Sequence, residues 1–184
     1  MTHAFALRPA TNEDLPSIAA LIDASVRGLS EGIYTPEEIE SGLKYVFGAD
    51  TQLIVDRTYF VIADAAEIVA SGGWSRRRTL YGGDQHKSAA DPLLDPAVDA
   101  ARIRAFFVHP SRARLGLGRM LFDACHDAAR REGFRAFELG ATLPGVPLYR
   151  SLGFTGDERV DAAMPNGVVL PIVKMTRAID YGGG

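Results

Sequence analysis

The sequence has little cysteine, little histidine and no excess of basic charge. One cysteine among 184 residues, Cys125, excludes a disulfide within the chain. The formal net charge of -3 provides no overall basic field of the kind that nucleic-acid binding usually requires, so no nucleic-acid partner is expected. The histidines show no metal-ligand spacing, and no metal site is predicted for His3, His86, His109 and His126.

The chain also lacks a long apolar run, and no charged leader precedes an apolar segment. We therefore expect a soluble, cytoplasmic protein without membrane contact. A length of 184 residues suits one domain with a continuous core between a sheet and its helices. The predicted organisation is a single domain over residues 1–184.

Local patterns in the first half predict a strand, two helices and a hairpin. The strand is AFALRPA, and the helix that follows can be capped by Thr11 or Asp14. In YTPEEIESGL, Thr35, Pro36 and Glu38 have the spacing of a capping box at a helix start. The β-rich runs TYFVIAD and EIVASGGW predict the hairpin.

The second half begins with residues 79–100, which show no sustained period and are typical of a functional or mobile loop. A strand follows in ARIRAFFVHP, then a helix over Leu117 to Glu132. The remaining segments predict a strand, a short helix and a last strand perturbed by Pro171, in FRAFELGAT, VPLYRSLG and NGVVLPIVKMTRA. This order of elements predicts a mixed α/β sheet with helices on both faces.

VHPSRARLGLGR, residues 108–119, places three arginines and two glycines where a strand turns into a helix. Free backbone N–H groups and the helix dipole make such a turn an anion site, and a phosphate is the natural ligand. The stretch lacks the Gly-Lys-Ser/Thr ending of a nucleotide P-loop and the third glycine of a dinucleotide fingerprint. Neither ATP nor NAD fits well.

Together with the preceding RIRAFF, this stretch resembles the acyl-CoA signature of the GNAT superfamily of N-acyltransferases. The usual form is Arg or Gln, two residues, Gly, one residue, then Gly or Ala; Gly116 and Gly118 match it. Ala113 departs from it, with Arg112 and Arg114 on either side. PLYRSLGF, residues 147–154, is similar to the family's Leu-Tyr-x-x-x-Gly-Phe segment, and the resemblance covers a core of about residues 4–177.

The resemblance implies a GNAT fold, α/β with a mixed, mostly antiparallel central sheet. It implies an N-acetyltransferase that moves an acetyl group from acetyl-CoA to a primary amine of a small molecule or peptide, by direct attack in a ternary complex. The diphosphate would lie at the glycine loop and the thioester along the preceding strand. The implied cofactor-binding residues are Phe106, Phe107, Val108, Arg112, Ala113, Arg114, Leu115, Gly116, Leu117, Gly118 and Arg119.

Acyl transfer to an amine needs an oxyanion donor, and a backbone N–H near Val108 is the expected one. Tyr149 is the candidate acid that protonates the departing thiolate; without the motif it would be a part-buried core aromatic. A lysine-like amine is only about one part in a thousand neutral near pH 7, so a proton acceptor is useful. Glu138, Asp99 and a water chain stay open for that role, and no base is assigned.

Four residues are candidates for the acceptor cleft. Arg102 and Arg104 alternate along one strand and could share a face toward the cleft, or form an exposed strand edge. Trp74 stands beside residues 76–78, three arginines that could bind a substrate carboxylate, contact nucleic acid or simply face solvent. Tyr34 lies where the family often shapes its acceptor pocket; by sequence alone it is a loop tyrosine.

Two other classes of function compete with the enzyme. One is a non-catalytic acyl-CoA-binding module that senses the cofactor, and the other is a nucleic-acid-binding α/β domain, which would need a continuous basic face. The resemblance also allows a homodimer. The acceptor amine and the acyl length do not follow from the sequence, because one scaffold hosts many substrates.

Overall fold

The computed structural model describes residues 4–86 and 91–181. The strands are β1 (Phe5–Pro9), β2 (Tyr59–Asp64), β3 (Glu67–Ser75), β4 (Ala101–Val108), β5 (Ala136–Thr142), β6 (Thr155–Ala163) and β7 (Val169–Ala178). The helices are α1 (Leu15–Ser30), α2 (Pro36–Tyr45), α3 (Thr51–Val55), α4 (Leu117–Arg131) and α5 (Val146–Ser151). Among the described residues, no helix is long and apolar enough to span a membrane.

The strands form one sheet in the order β1-β2-β3-β4-β5-β7-β6. Every neighbouring pair is antiparallel except β4 and β5, which run parallel. Consecutive residues of β2 point to opposite faces, so that Val61 packs with Ile18 and Ile22 of α1 while Ile62 packs with α4. The mixed, mostly antiparallel sheet with helices on both faces, predicted from the sequence, is confirmed.

Local sequence signals account for the helix starts. Thr35 Oγ1 accepts a hydrogen bond from Glu38 N at 3.2 Å, and Glu38 Oε2 accepts one from Thr35 N at 2.7 Å, which completes the predicted capping box of α2. Asp14 is the residue before α1; its carboxylate accepts hydrogen bonds from Thr11 N and from both terminal nitrogens of Arg8. These bonds fix β1 against the start of α1.

Three details differ from the sequence prediction. The helix α3 and the strand β6 were not predicted. The predicted perturbation at Pro171 is confined to one side of β7: Pro171 pairs with Asp161 of β6, whereas pairing with β5 begins at Ile172. The expected loop at residues 79–100 contains the four residues 87–90 that lie outside the described ranges.

Candidate acyl-transfer site

A cavity of about 580 Å³ opens where β4 and β5 separate. The two strands pair only at Ala101 with Phe137 and at Arg102 with Glu138, and then diverge. Ala105 has a left-handed φ of 54° inside β4, and the β3–β4 register shifts opposite it. This bulge re-aims the end of β4 along the cavity wall, because an extra residue bends its strand.

One end of the cavity is the glycine loop before α4. Gly116 is the residue preceding α4 and has a φ of 83°, a conformation that favours glycine. The first helical hydrogen bond joins Met120 N to Gly116 O, so the amides of residues 117–119 have no partner within their helix. These amides and the positive end of the helix dipole define an anion site.

Gly118 has a different reason to be glycine. A Cβ built on it would lie 2.8 Å from Leu148 Cδ2 of α5, so the missing side chain lets α5 approach α4 closely. That approach brings Tyr149 of α5 next to the glycine loop.

The arginines of the loop differ in whether their guanidinium groups are already bonded within the chain. Arg112 Nε lies 3.3 Å from Asp64 Oδ2, and Arg119 donates to Ser151 O at 3.2 Å. Arg114 is exposed, and its guanidinium has no hydrogen bond or ion pair with the described residues. Ala113 lines the cavity at the position that departs from the family signature, whereas the exposed Leu115 does not line it.

The end of β4 forms the next part of the wall, with Phe106, Phe107 and Val108 all lining the cavity. His109 N donates to Val69 O of β3, so the preceding amide faces the other way, toward the gap between β4 and β5. Val108 N donates there to Ser25 Oγ of α1 at 3.3 Å.

Tyr149 lies in this wall with its ring between those of Phe106 and Phe154, at centroid distances of 6.2 and 5.6 Å. Its side chain is buried, and burial raises the pKa of its hydroxyl above the ordinary value. No described residue hydrogen-bonds with this hydroxyl. Tyr149 is therefore a protonated phenol at neutral pH, on the cavity wall.

The opposite end of the cavity is walled by α1, the α2–α3 connection, residues 80–83 and the β5–β7 edge. Its side chains are mostly apolar: Leu29, Ile33, Val46, Phe47, Leu80, Tyr81 and Ile172. Arg104 is the charged side chain here, with an exposed side-chain fraction of 1%, and it pairs with the fully buried Asp50 at 2.9 Å. It also donates to Thr79 O at 2.9 Å and to Gly82 O, which anchors residues 79–83 to β4.

The other three acceptor candidates lie outside the cavity lining. Tyr34 is buried; its hydroxyl donates to Pro171 O at 2.6 Å and accepts from Leu143 N at 2.9 Å. Trp74 is buried against Phe134 on the α4 side of the sheet. Arg102 Nη1 pairs with Glu138 Oε2 at 3.1 Å. These three side chains bond or pack within the protein and do not face the cavity.

The remaining polar candidates are also held by partners away from the cavity. Arg77 forms two hydrogen bonds with the Asp56 carboxylate, and Arg76 pairs with Glu132 at 3.0 Å. Glu138 is bound by Arg102 and Lys174, and Asp99 accepts a hydrogen bond from Asp95 N. Neither candidate base lines the cavity.

Cysteine and histidine form no reactive cluster in the described ranges. Cys125 is fully buried, and burial raises the pKa of its thiol. No group of three or more His, Cys, Asp or Glu side chains within residues 4–86 and 91–181 could hold a metal ion. His3 lies outside the described residues.

Comparison with known proteins connects this geometry to a family. Residues 55–156, more than half of the chain, match the family model described as Acetyltransferase (GNAT) domain, so the protein belongs to the GNAT acetyltransferases. The match includes β4, the glycine loop, α4 and Tyr149. Comparison with curated protein sequences finds no match.

Solved structures show the same fold. A GCN5-related N-acetyltransferase from Rhodopseudomonas palustris is 21% identical with a TM-score of 0.69, over 97% of this chain and 98% of that one. The PaiA N-acetyltransferase of Thermoplasma acidophilum, in complex with coenzyme A, is 11% identical with a TM-score of 0.65, over 95% and 99%. YncA, a putative acetyltransferase from Salmonella typhimurium with acetyl-CoA, is 18% identical with a TM-score of 0.58, over 98% and 97%.

Proposed function

We propose that the protein is an N-acetyltransferase that transfers the acetyl group of acetyl-CoA to a primary amine of a small molecule or peptide in a ternary complex. The observation that carries this proposal is the continuity of one cavity. It runs from the amides at the start of α4, along the end of β4 and past Tyr149, to the end lined by α1, the α2–α3 connection and residues 80–83. Acetyl-CoA supplies the activated acetyl group; two neighbours of this fold were solved with coenzyme A or acetyl-CoA.

The glycine loop fits the diphosphate of coenzyme A. Nothing lies within 4 Å of a Cβ built on Gly116, so the space in front of this residue is open. Amides 117–119 can donate hydrogen bonds there, and the exposed Arg114 adds a positive charge. Arg112 and Arg119, already bonded within the chain, border the same anion site.

The end of β4 positions the thioester. Val108 N–H points toward the gap and donates to the thioester oxygen as negative charge develops on it. Its bond to Ser25 Oγ is 3.3 Å, long for an N–H···O bond, so exchanging this acceptor for the thioester oxygen costs little.

Tyr149 completes the transfer. The amine nitrogen forms a bond to the acetyl carbon, the carbon–sulfur bond breaks, and Tyr149 gives its proton to the departing sulfur. The hydroxyl is protonated at neutral pH, so its proton is available at that moment. The surplus proton of the attacking amine passes to water, and the Tyr149 phenolate takes a proton back from water; neither Glu138 nor Asp99 lines the cavity.

The experiment that tests the function measures free CoA thiol released from acetyl-CoA with and without a panel of amines. An enzyme releases CoA only in proportion to added acceptor and yields an equal amount of acetylated amine by mass spectrometry. Binding of acetyl-CoA without acceptor-dependent release would instead identify a sensing module. Single-domain organisation over residues 1–184, a cytoplasmic location and a homodimer stay predictions.

A further inference from the structure

Among the described residues, no carboxylate lies on the wall of the cavity end formed by α1, the α2–α3 connection and residues 80–83, here called the acceptor end. Within the described residues, its lining side chains are apolar, aromatic or hydroxyl-bearing, with Arg104 as the exception. Residues 1–3, 87–90 and 182–184 include no aspartate or glutamate. An ammonium group entering here would lose its water without gaining an anionic partner, which is costly in an apolar site.

Arg104 does not provide a binding group for a substrate carboxylate either. One of its terminal nitrogens donates to Thr79 O, and the other contacts Gly82 O and Asp50. The pair is almost completely buried, so its charges compensate each other behind the wall. Amino acids are thus poorly recognised through their carboxylates.

Two titratable side chains near the acceptor end, His86 and Asp84, supply no proton acceptor on its wall. His86 packs on the ring of Tyr81 at 4.9 Å, and burial together with Arg104 lowers its pKa, which favours its neutral form. Asp84 accepts hydrogen bonds from Thr51 N at 3.1 Å. Neither side chain lines the cavity.

We propose that the acceptor is an amine of low basicity on an apolar, ring-bearing body, which enters the site uncharged. This inference rests on the proposed acetyl transfer. The described residues of this wall offer no carboxylate or histidine that could remove a proton from an ammonium ion. A lysine-like amine is neutral only about once in a thousand molecules near pH 7. An arylamine needs no such step, and its ring matches the side chains of Phe47, Tyr81 and Ile33.

The test compares aniline with benzylamine, which share a ring but differ in basicity, and adds spermidine and lysine as charged acceptors. The readout is kcat/KM for CoA release between pH 6 and pH 8. We expect the benzylamine-to-aniline ratio to rise about tenfold per pH unit, because only neutral benzylamine reacts and enzyme titrations cancel in the ratio. Spermidine and lysine should be at least about tenfold poorer than aniline at pH 7, since each would have to lose a proton first.

A charge placed on the wall provides a second test. Ile33 lines the cavity mouth and is half exposed, so Ile33→Glu should fold and offer an anion to charged amines. We expect the spermidine-to-aniline ratio of kcat/KM to increase about two- to fivefold, the size of an exposed ion pair. Ile33→Gln controls for shape, and Val55→Glu, on an exposed residue outside the cavity, controls for net charge.

The outcomes separate this inference from the function itself. A constant benzylamine-to-aniline ratio, or CoA release with spermidine or lysine but not with the ring amines, overturns the acceptor class and leaves the acetyltransferase in place. Failure of every amine in a protein that binds acetyl-CoA identifies the sensing module, which overturns the proposed function and the acceptor class with it. Absence of acetyl-CoA binding overturns the proposed function.

Discussion

Tyr149 is the residue whose hydroxyl the proposed chemistry uses most directly. We expect Tyr149→Phe to lower kcat about a hundredfold or more, the usual contribution of a positioned acid. Affinity for acetyl-CoA should change little, because the ring contacts with Phe106 and Phe154 remain. Steady-state kinetics and cofactor titration measure the two effects. An unchanged kcat would remove Tyr149 from the reaction.

Gly116 and Gly167 form a matched pair at the residue scale. Both have left-handed φ values, 83° and 85°, and a Cβ would meet nothing within 4 Å at either position. Alanine at each site should therefore cost a similar free energy of unfolding, about 1 kcal/mol. Only Gly116→Ala should also weaken acetyl-CoA binding, which calorimetric titration measures. Equal affinities of the two variants for acetyl-CoA would mean that the diphosphate does not bind at the glycine loop.

Motifs of adjacent residues could be interpreted from the sequence, whereas pairs distant along the chain could not. The glycine loop and Tyr149 belong to short segments with characteristic spacing, and the structure places both on one cavity. Asp50 and Arg104 meet only through the fold. For the same reason Tyr34, a loop tyrosine in the sequence, is found hydrogen-bonded to Pro171 in the core.

At the scale of elements, the Asp50–Arg104 pair holds the 79–83 segment against β4. Asp50→Asn leaves a buried guanidinium without its anion, so we expect the free energy of unfolding to fall by about 3–5 kcal/mol. Urea denaturation measures this loss. Asp50→Asn combined with Arg104→Met should recover part of the stability, since no isolated charge stays buried. A double variant no more stable than Asp50→Asn would contradict this reading of the pair.

The elements missed by sequence analysis have weak periodic signals. β6 is an edge strand with mostly exposed residues, so TGDERVDAA shows no alternation of apolar and polar side chains. The helix α3 has five residues, too short for a helical period, and its TQLIV is rich in residues that favour strands. The acceptor wall was missed too, because Val46, Phe47 and Tyr81 come from connections without regular structure.

For the whole molecule, the Arg8–Asp14 bond should contribute to acid sensitivity. The side-chain hydrogen bonds from Arg8 lower the pKa of Asp14 to about 2, and Thr11 N adds to the effect. Because the folded pKa lies below the unfolded one, this stabilisation is complete above about pH 4 and is lost as pH falls toward 2.

We expect Asp14→Asn to lower the free energy of unfolding at neutral pH by about 1–2 kcal/mol and to make the stability curve flatter between pH 4 and pH 2. Denaturant unfolding at several pH values measures both. Asp157→Asn is the control, because Asp157 forms an exposed ion pair with Arg150 and should leave the curve unchanged. If the free energy of unfolding of Asp14→Asn and of the wild type changed equally between pH 4 and pH 2, Asp14 would not be the source of this acid sensitivity.

The proposed function requires one cavity to bind acetyl-CoA through the glycine loop and the end of β4. Thermal unfolding with acetyl-CoA, CoA, ATP and NAD in parallel measures this binding. A ligand at a hundred times its dissociation constant adds about 2.7 kcal/mol, roughly 5 to 10 °C for a chain of this size. We expect this shift with acetyl-CoA and CoA alone. No shift with either, at concentrations well above micromolar, would show that the protein does not bind the cofactor and that the proposed function is wrong.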